Sequence, residues 1–381
     1  EKPIWGASTS LKLADSAGIP TELGYQLGQN YNDEKWEEVL NQVKYDEAIG
    51  LVNNANSGNK AISSVGKPRL YCYDSMIQIK GFAGKPRGTG NPSTVILAMS
   101  FNKKLIYNYA TNFANEMKAL GVQGVFGPGV NLHRSPFGGR NWEYFSEDAY
   151  MCGVFVAYTV KGCTENGVYA YMKHFAGNDT DEGRNGQFKW MTEQSLREIY
   201  LKPFYKAINE GGVTGIMTSY NRLGNVWAGG NTSLLTGILR NEWGFNGAII
   251  TDYCDYEGVN YMNIEQALRA GGNLLLGYKN NILSTSLQNG NRIQNRLKDA
   301  AHQTIYMWLR AEYNEREYLK NPDAGDNYIA SFSMDSWCWW KPLVTCLNVT
   351  VTTGLVLWAV LLVVNELMKN NTVVNNKEEE K

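Results

Sequence analysis

From about residue 68, short apolar runs alternate with stretches of helical periodicity. The runs "PRLYCYD" (68–74), "STVILAMS" (93–100), "GVQGVFGP" (121–128), "GVYAYMKHF" (167–175), "GVTGIMTSYN" (212–221), "NGAIITDY" (246–253) and "GGNLLLG" (271–277) read as strands. Helical patterns lie between several of them. In 102–120, Leu105, Tyr109, Phe113, Met117 and Leu120 share a face. In 192–210, Thr192 stands at a cap position, Leu196, Ile199, Tyr200, Phe204 and Ile208 face inward, and Gly211 ends the helix. Residues 292–312 carry one more long helical pattern. Ahead of the alternation, "NDEKWEEVLNQV" (32–43) puts Trp36, Val39, Leu40 and Val43 on one helical face, and "NNANSGNKAISS" (53–64) is a loop by composition.

Repeated strand–helix alternation predicts an α/β fold with a parallel sheet. Seven runs between residues 68 and 277 favour closure into a (β/α)₈ barrel, or a close variant of it, over an open sheet. No GxGxxG follows a strand and opens a helix, which argues against a dinucleotide site. In such a barrel the C-terminal strand ends carry the chemistry. Those ends hold Asp74, Lys173, His174, Tyr220 and Asp252.

After residue 313 the pattern changes. "NEREYLKNPDAGDN" is charged and reads as a linker, and "SWCWWK" (336–341) is an aromatic cluster. Residues 342–365 then run for 24 positions without a charge. As a helix they would be about 36 Å long, against a hydrocarbon core of about 30 Å. Trp337, Trp339 and Trp340 suit an interfacial belt, with Lys341 and Lys369 as flanks. The expected organisation is a helical lead-in (1–65), a barrel (66–318), a linker with the Trp cluster (319–341), a transmembrane helix (342–365) and a polar tail (366–381). Charges on the two sides are too balanced to set an orientation.

Composition narrows the picture further. Net charge is −1, which leaves no electrostatic footprint for nucleic acid. The six cysteines lack a CxxC pair, and three histidines are too few for a histidine-rich metal centre, so neither a metal nor another cofactor is expected. The chain starts at Glu1 rather than Met, as expected of a processed product or a piece of something longer. Aromatic residues make up 12% of the chain; flat rings suit sugar faces, though they fill cores equally well.

The stretch "GAIITDYCDYEG" (247–258) ends an apolar strand in Asp252, Asp255 and Glu257. Cleavage of a glycoside needs two carboxyl groups, one attacking the anomeric carbon or activating water and one protonating the leaving oxygen. A nucleophilic carboxylate wants cations and donors around it, which Arg140, Lys173 and His174 could supply. Asp255 and Glu257 suit a loop or a helix start, where negative charge favours the dipole.

Five ordered motifs carry a family resemblance: "GVNLHRSPFGGRNWEYFSED" (129–148), "KHFAGNDTDEGR" (173–184), "LREIYLKPFYKAI" (196–208), "GIMTSYNRLGN" (215–225) and "LLTGILRNEWGFNGAIITDY" (234–253). Together they resemble glycoside hydrolase family 3 over about residues 30 to 310. The resemblance implies a (β/α)₈ barrel or close variant and a retaining, exo-acting β-glycosidase, most often a β-glucosidase. It assigns the nucleophile to Asp252 and the acid that holds two sugar hydroxyls to Asp74. Arg140, Lys173 and His174 match basic residues around the sugar. Met217 and Tyr220 match a wall beside the nucleophile, and Arg184 matches a loop arginine that closes the site. Lys80 stands where the family usually has an arginine, and lysine lacks the planar bidentate fork. Tyr253 stands where a tryptophan is frequent.

The family's usual second domain, an α/β sandwich that supplies the acid/base, has no counterpart in this sequence. The N-acetylglucosaminidase subgroup uses an Asp-x-His pair instead, and the loop here holds Asp179, Asp181 and Glu182 but no histidine. Some members place the sandwich first and the barrel last. The expectation is therefore an acid/base supplied from a preceding segment or a separate subunit. The alternatives are a membrane-tethered sugar-binding module without competent hydrolysis, a β-xylosidase and an N-acetyl-β-glucosaminidase. The expected partners are a β-linked glycoside and a membrane, and the expected location is the cell membrane, single-pass, with the catalytic domain extracellular.

Overall fold

Among the described residues, nine strands form where the apolar runs alternate with period two, and also at short loop pairings. They are β1 (Gly58–Asn59), β2 (Leu70–Asp74), β3 (Gly124–Phe126), β4 (Tyr169–Phe175), β5 (Phe188–Lys189), β6 (Gly215–Thr218), β7 (Arg222–Leu223), β8 (Val226–Trp227) and β9 (Ala248–Ile250). The computed structural model describes residues 2–53, 55–56, 58–81, 86–255, 257–277, 290–321 and 340–378, without the side chains of 340–345 and 366–378. Residues 1–327 form one compact unit and 328–381 a second.

In the first unit the main sheet runs in the order β1-β2-β3-β4-β6-β9, with β1 antiparallel to β2 and every other pair parallel. A smaller sheet orders β5-β7-β8. The run 271–277 joins β9 through a single parallel bridge, Ile250 to Leu274. On its other side the Leu275 N–H donates to Val52 O, and the Ala55 N–H donates to Leu275 O. The sheet is therefore curled as a half-barrel within a mixed α/β unit, rather than built from eight equivalent parallel strands. Gly271 is the left-handed cap of the helix Ile264–Ala270, with φ 110°, so extended chain is available only after it.

Strand pleating splits the core. Cys72, Phe126, Tyr169, Tyr171, Met217 and Ile250 enter one apolar cluster, whereas Val125, Ala170, Met172, Ile216 and Ile249 enter another. Packing is tight where rings cross strands. A Cβ on Gly124 would lie 2.1 Å from the Tyr169 ring, so only glycine fits there. Continuing the pleat beyond Cys72, Tyr171 and Ile250 puts Asp74, Lys173 and Asp252 on the same face of their strands' C-terminal ends.

Helices cover the sheet. The expected helix in 32–43 is Lys35–Gln42, with Trp36, Val39, Leu40 and Val43 all buried. Thr192 caps as its position suggested, accepting from the Ser195 N–H at 3.1 Å. The helix that follows includes a π-helical stretch, Leu196–Tyr200, and runs on to Gly211, with Gly212 as its left-handed cap.

Three expectations change. The run 93–100 is a helix, Thr94–Ala98, not a strand; Thr94, Leu97 and Ala98 bury at helical spacing behind Ser93. The helix Lys103–Ala119 buries Ile106, Tyr107, Ala110, Phe113, Ala114 and Met117, while Leu105 and Leu120 are exposed, so its inward face is rotated from the expected one. The long helix is Asn291–Lys320, which absorbs the first part of the expected linker. Its polar end holds through ion pairs, Lys320 to Glu317 at 2.8 Å and Arg316 to Glu22 at 3.1 Å.

In the second unit Trp340–Glu378 is one helix. Its stretch Cys346–Asn365 is long and apolar enough to cross a membrane, and none of it is buried. Trp337, Trp339 and most of the linker lie outside the described residues, as do the side chains of Trp340, Lys341 and Lys369 and the end of the polar tail.

Candidate active site

The C-terminal strand ends open into a cavity of about 590 Å³. Its walls include Asp74, Arg140, Lys173, His174, Arg184, Met217, Tyr220, Asp252 and Tyr253, nine of the ten residues singled out from sequence. Lys80 is the exception. It is exposed and, among the described residues, forms backbone bridges to Asp74 and Arg87, outside the cavity lining.

Asp252 lies just past the tip of β9 and is 7% exposed. Its Oδ1 accepts the Tyr253 N–H at 2.8 Å, and its buried Oδ2 has no hydrogen-bond partner among the described residues. Burial pushes this carboxyl up to about 6, against the pull of the Tyr253 N–H, Arg140, Lys173 and Arg184. It still ionises near neutrality.

A chain of charge runs round the wall. Arg140 Nε donates to Glu143 Oε2 at 2.7 Å, Lys173 Nζ lies 3.0 Å from Glu143 Oε1, and the same ammonium donates to Asp74 Oδ1 at 2.5 Å. Lys173 is 2% exposed; burial opposes its charge, but Asp74 and Glu143 outweigh that and raise its pKa. The Asp74 side chain is 59% accessible and lines the cavity. Burial alone would raise its pKa, but Lys173, the Ser75 N–H and Arg140 hold it below the ordinary carboxylate value.

His174 is 1% exposed, with Nε2 3.5 Å from Asp252 Oδ2. Burial, then Arg140, Lys173 and Arg184, hold its pKa well below the usual range, so the ring is neutral and the contact is not an ion pair. Arg184 donates to Asp181 at 2.7 Å and lies over the Tyr220 ring at 5.0 Å. The Tyr220 hydroxyl donates to Tyr253 O at 2.8 Å, tying the wall to the segment after Asp252.

Of the loop acids, Asp181 lines the cavity paired with Arg184; Asp179 pairs with Lys189 at 3.5 Å, and exposed Glu182 is not in the lining. Glu143, Trp142, Phe126, Ser75, Gly139 and Leu276 are lining residues that the sequence did not single out. Glu143 left a readable signal, an acid three positions after Arg140 inside the first motif. Trp142 and Leu276 left none that separates them from core residues.

Residues 35–306 match the family model described as the glycosyl hydrolase family 3 N terminal domain. Over 194 residues the chain is 36% identical to a beta-glucosidase of Ruminococcus albus, covering 51% of this chain and 20% of that protein. Over 220 residues it is 34% identical to a putative beta-glucosidase of Schizosaccharomyces pombe, covering 57% of this chain and 26% of that one. Among solved structures, a beta-glucosidase from Paenibacillus barengoltzii superposes with a TM-score of 0.69 at 29% identity, over 82% of this chain and 35% of that one. Beta-glucosidase 3B from Thermotoga neapolitana, in complex with glucose, gives a TM-score of 0.64 at 26% identity, over 76% of this chain and 45% of that one. The chain thus spans 20% to 26% of the length of these curated relatives. It belongs to glycoside hydrolase family 3, through that family's N-terminal domain.

Proposed function

We propose that this chain is the catalytic barrel of a retaining, exo-acting β-glycosidase whose substrate is a β-glucoside. One observation carries the reading: a buried carboxyl at a strand tip, Asp252, lines a cavity whose wall also holds Arg140, Lys173 and Arg184. In this reading the Asp252 carboxylate bonds to the anomeric carbon as the aglycone oxygen departs. Water then attacks the same carbon and frees the carboxylate, and two inversions retain configuration. Asp74, Lys173 and His174 grip sugar hydroxyls. The lining carries Asp74, Glu143, Asp181 and Asp252 against three cations, so it suits an uncharged sugar better than a phosphorylated or uronic one.

The departing oxygen also needs a proton. Asp74, Glu143 and Asp181 are each committed to a cation, Lys173, Arg140 with Lys173, and Arg184 in turn, rather than placed free for the leaving oxygen. We therefore assign the acid/base to a group beyond these lining residues, on another domain or subunit. The same ion pairing favours a second reading, a sugar-binding module without competent hydrolysis. The length and apolar composition of the helix Cys346–Asn365 support a single-pass anchor, and the glycoside substrate of this reading suits a barrel outside the cell.

The test assays the full chain on β-glucosides of graded leaving-group pKa, with β-xylosides and N-acetyl-β-glucosaminides alongside. Slow turnover confined to activated aryl β-glucosides, abolished by Asp252→Ala, is the expected result. Full turnover of alkyl glucosides refutes the external acid/base. Monosaccharide binding by calorimetry with no turnover of any substrate favours the module.

A further inference from the structure

His174 is held from several sides by buried groups. Its backbone N–H donates to Asn131 Oδ1 at 2.8 Å, and its carbonyl accepts from Asn131 Nδ2 at 3.0 Å. On the ring, Nδ1 lies 3.2 Å from the Tyr144 hydroxyl and 3.4 Å from Asn178 Nδ2. Asn178 Nδ2 also donates to Tyr144 Oη at 3.1 Å. Tyr144 and Asn178 are each 2% exposed, so water does not compete for these contacts.

A neutral imidazole has one donor nitrogen and one acceptor. Tyr144 Oη receives the Asn178 proton, which leaves its own hydroxyl proton to point at Nδ1. The Asn178 amide presents a second donor to the same nitrogen. At the other end, Nε2 faces Asp252 Oδ2, an acceptor with no hydrogen-bond partner among the described residues. Turning the Asn178 amide round would draw the proton to Nδ1 and set a bare Nε2 lone pair against the carboxylate. That arrangement repels in a site from which water is excluded.

We infer that Tyr144 and Asn178 are positioning residues that keep Nδ1 of His174 an acceptor, so that the ring's single proton sits on Nε2 and is aimed at Asp252 Oδ2. The ring thereby lends the carboxylate a directed donor without a further positive charge, and fixes which oxygen faces the cavity. The consequence for reaction rests on Asp252 being the nucleophile; the tautomer does not.

The experiment is long-range ¹H–¹⁵N correlation of the full chain carrying ¹⁵N-histidine. The chain has three histidines, and the His174→Gln spectrum identifies the His174 signals. The wild type is expected to show protonated Nε2 and bare Nδ1. Tyr144→Phe removes one donor and Asn178→Asp replaces the other with an acceptor; both are expected to shift proton population to Nδ1. They are also expected to slow fluorosugar labelling of Asp252 about tenfold, the scale set by misorienting a reacting group. A wild-type proton on Nδ1, an imidazolium, or variants in which Nε2 keeps its proton unchanged would overturn the inference. If a variant does not fold, the wild-type spectrum alone decides. Protonated Nε2 in a wild type that never labels would sink the nucleophile reading and leave the tautomer standing.

Discussion

An ionised Asp252 destabilises the fold that holds it, and replacing it by asparagine should reveal by how much. The folded carboxyl is raised to about 6, against 3.8 for an ordinary aspartate. Below both values the group is protonated in both states and costs nothing. As pH rises past the lower value the unfolded chain ionises first, so stability falls until the folded carboxyl has also ionised, and is flat above that. A gap of roughly 2 units is worth about 3 kcal/mol at 1.36 kcal/mol per unit. Asp252 is almost fully buried, so solvent screening does not discount the figure. At pH 4 the unfolded group is already more than half ionised, which leaves about 2 kcal/mol between pH 4 and pH 8.

Asp252→Asn removes this titration while nearly keeping shape. Its stabilisation relative to wild type should therefore be greater at pH 8 than at pH 4 by about 2 kcal/mol, and constant above pH 7. Urea unfolding followed by tryptophan fluorescence at both pH values reads the difference directly, because any geometric effect of the amide cancels between them. A stabilisation equal at the two pH values, or larger at pH 4, would refute the claim that burial governs this carboxyl. A stability gain coupled to lost labelling is what a strained functional site predicts.

Three further outcomes follow from the geometry. Glu143→Gln should free Arg140 and Lys173 from their shared carboxylate and lower the rate of fluorosugar labelling about tenfold or more, since the cations lose their fixed placement; an unchanged rate would remove Glu143 from the site. Lys80→Ala should leave the labelling rate and sugar affinity within about twofold of wild type, because surface changes away from a site are near neutral and Lys80 is outside the cavity lining; calorimetry with glucose checks the affinity. Gly124→Ala should cost about 1–3 kcal/mol in urea unfolding, because the new methyl meets the Tyr169 ring in a closely packed core.

Much of this architecture was legible because it repeats simple periods. The pleat from Ile250 to Asp252, and from Tyr171 to Lys173, put acids and bases at strand ends where the alternation said they would be. The run 93–100 misled because a short apolar stretch has no period of its own; Ser93 and the burial of Thr94, Leu97 and Ala98 decided for helix. Sheet closure was illegible for a different reason. Whether 271–277 pairs along a whole strand or at Leu274 alone depends on its contacts with Val52 and Ala55, more than two hundred residues earlier. Lys80 was placed at the site through a family position; it is bridged to Asp74 but is not among the lining residues. Asn178 and Tyr144 were invisible because their roles act through His174, and no spacing in the sequence encodes that contact.

The central claim is that Asp252 attacks the sugar. The most direct measurement is peptide mass mapping of the full chain after reaction with a 2-fluoro-β-glucosyl inactivator. The account predicts one adduct, on the carboxyl of Asp252 and absent in Asp252→Ala. An adduct on Asp74, Glu143 or Asp181, or one that survives Asp252→Ala, would contradict it.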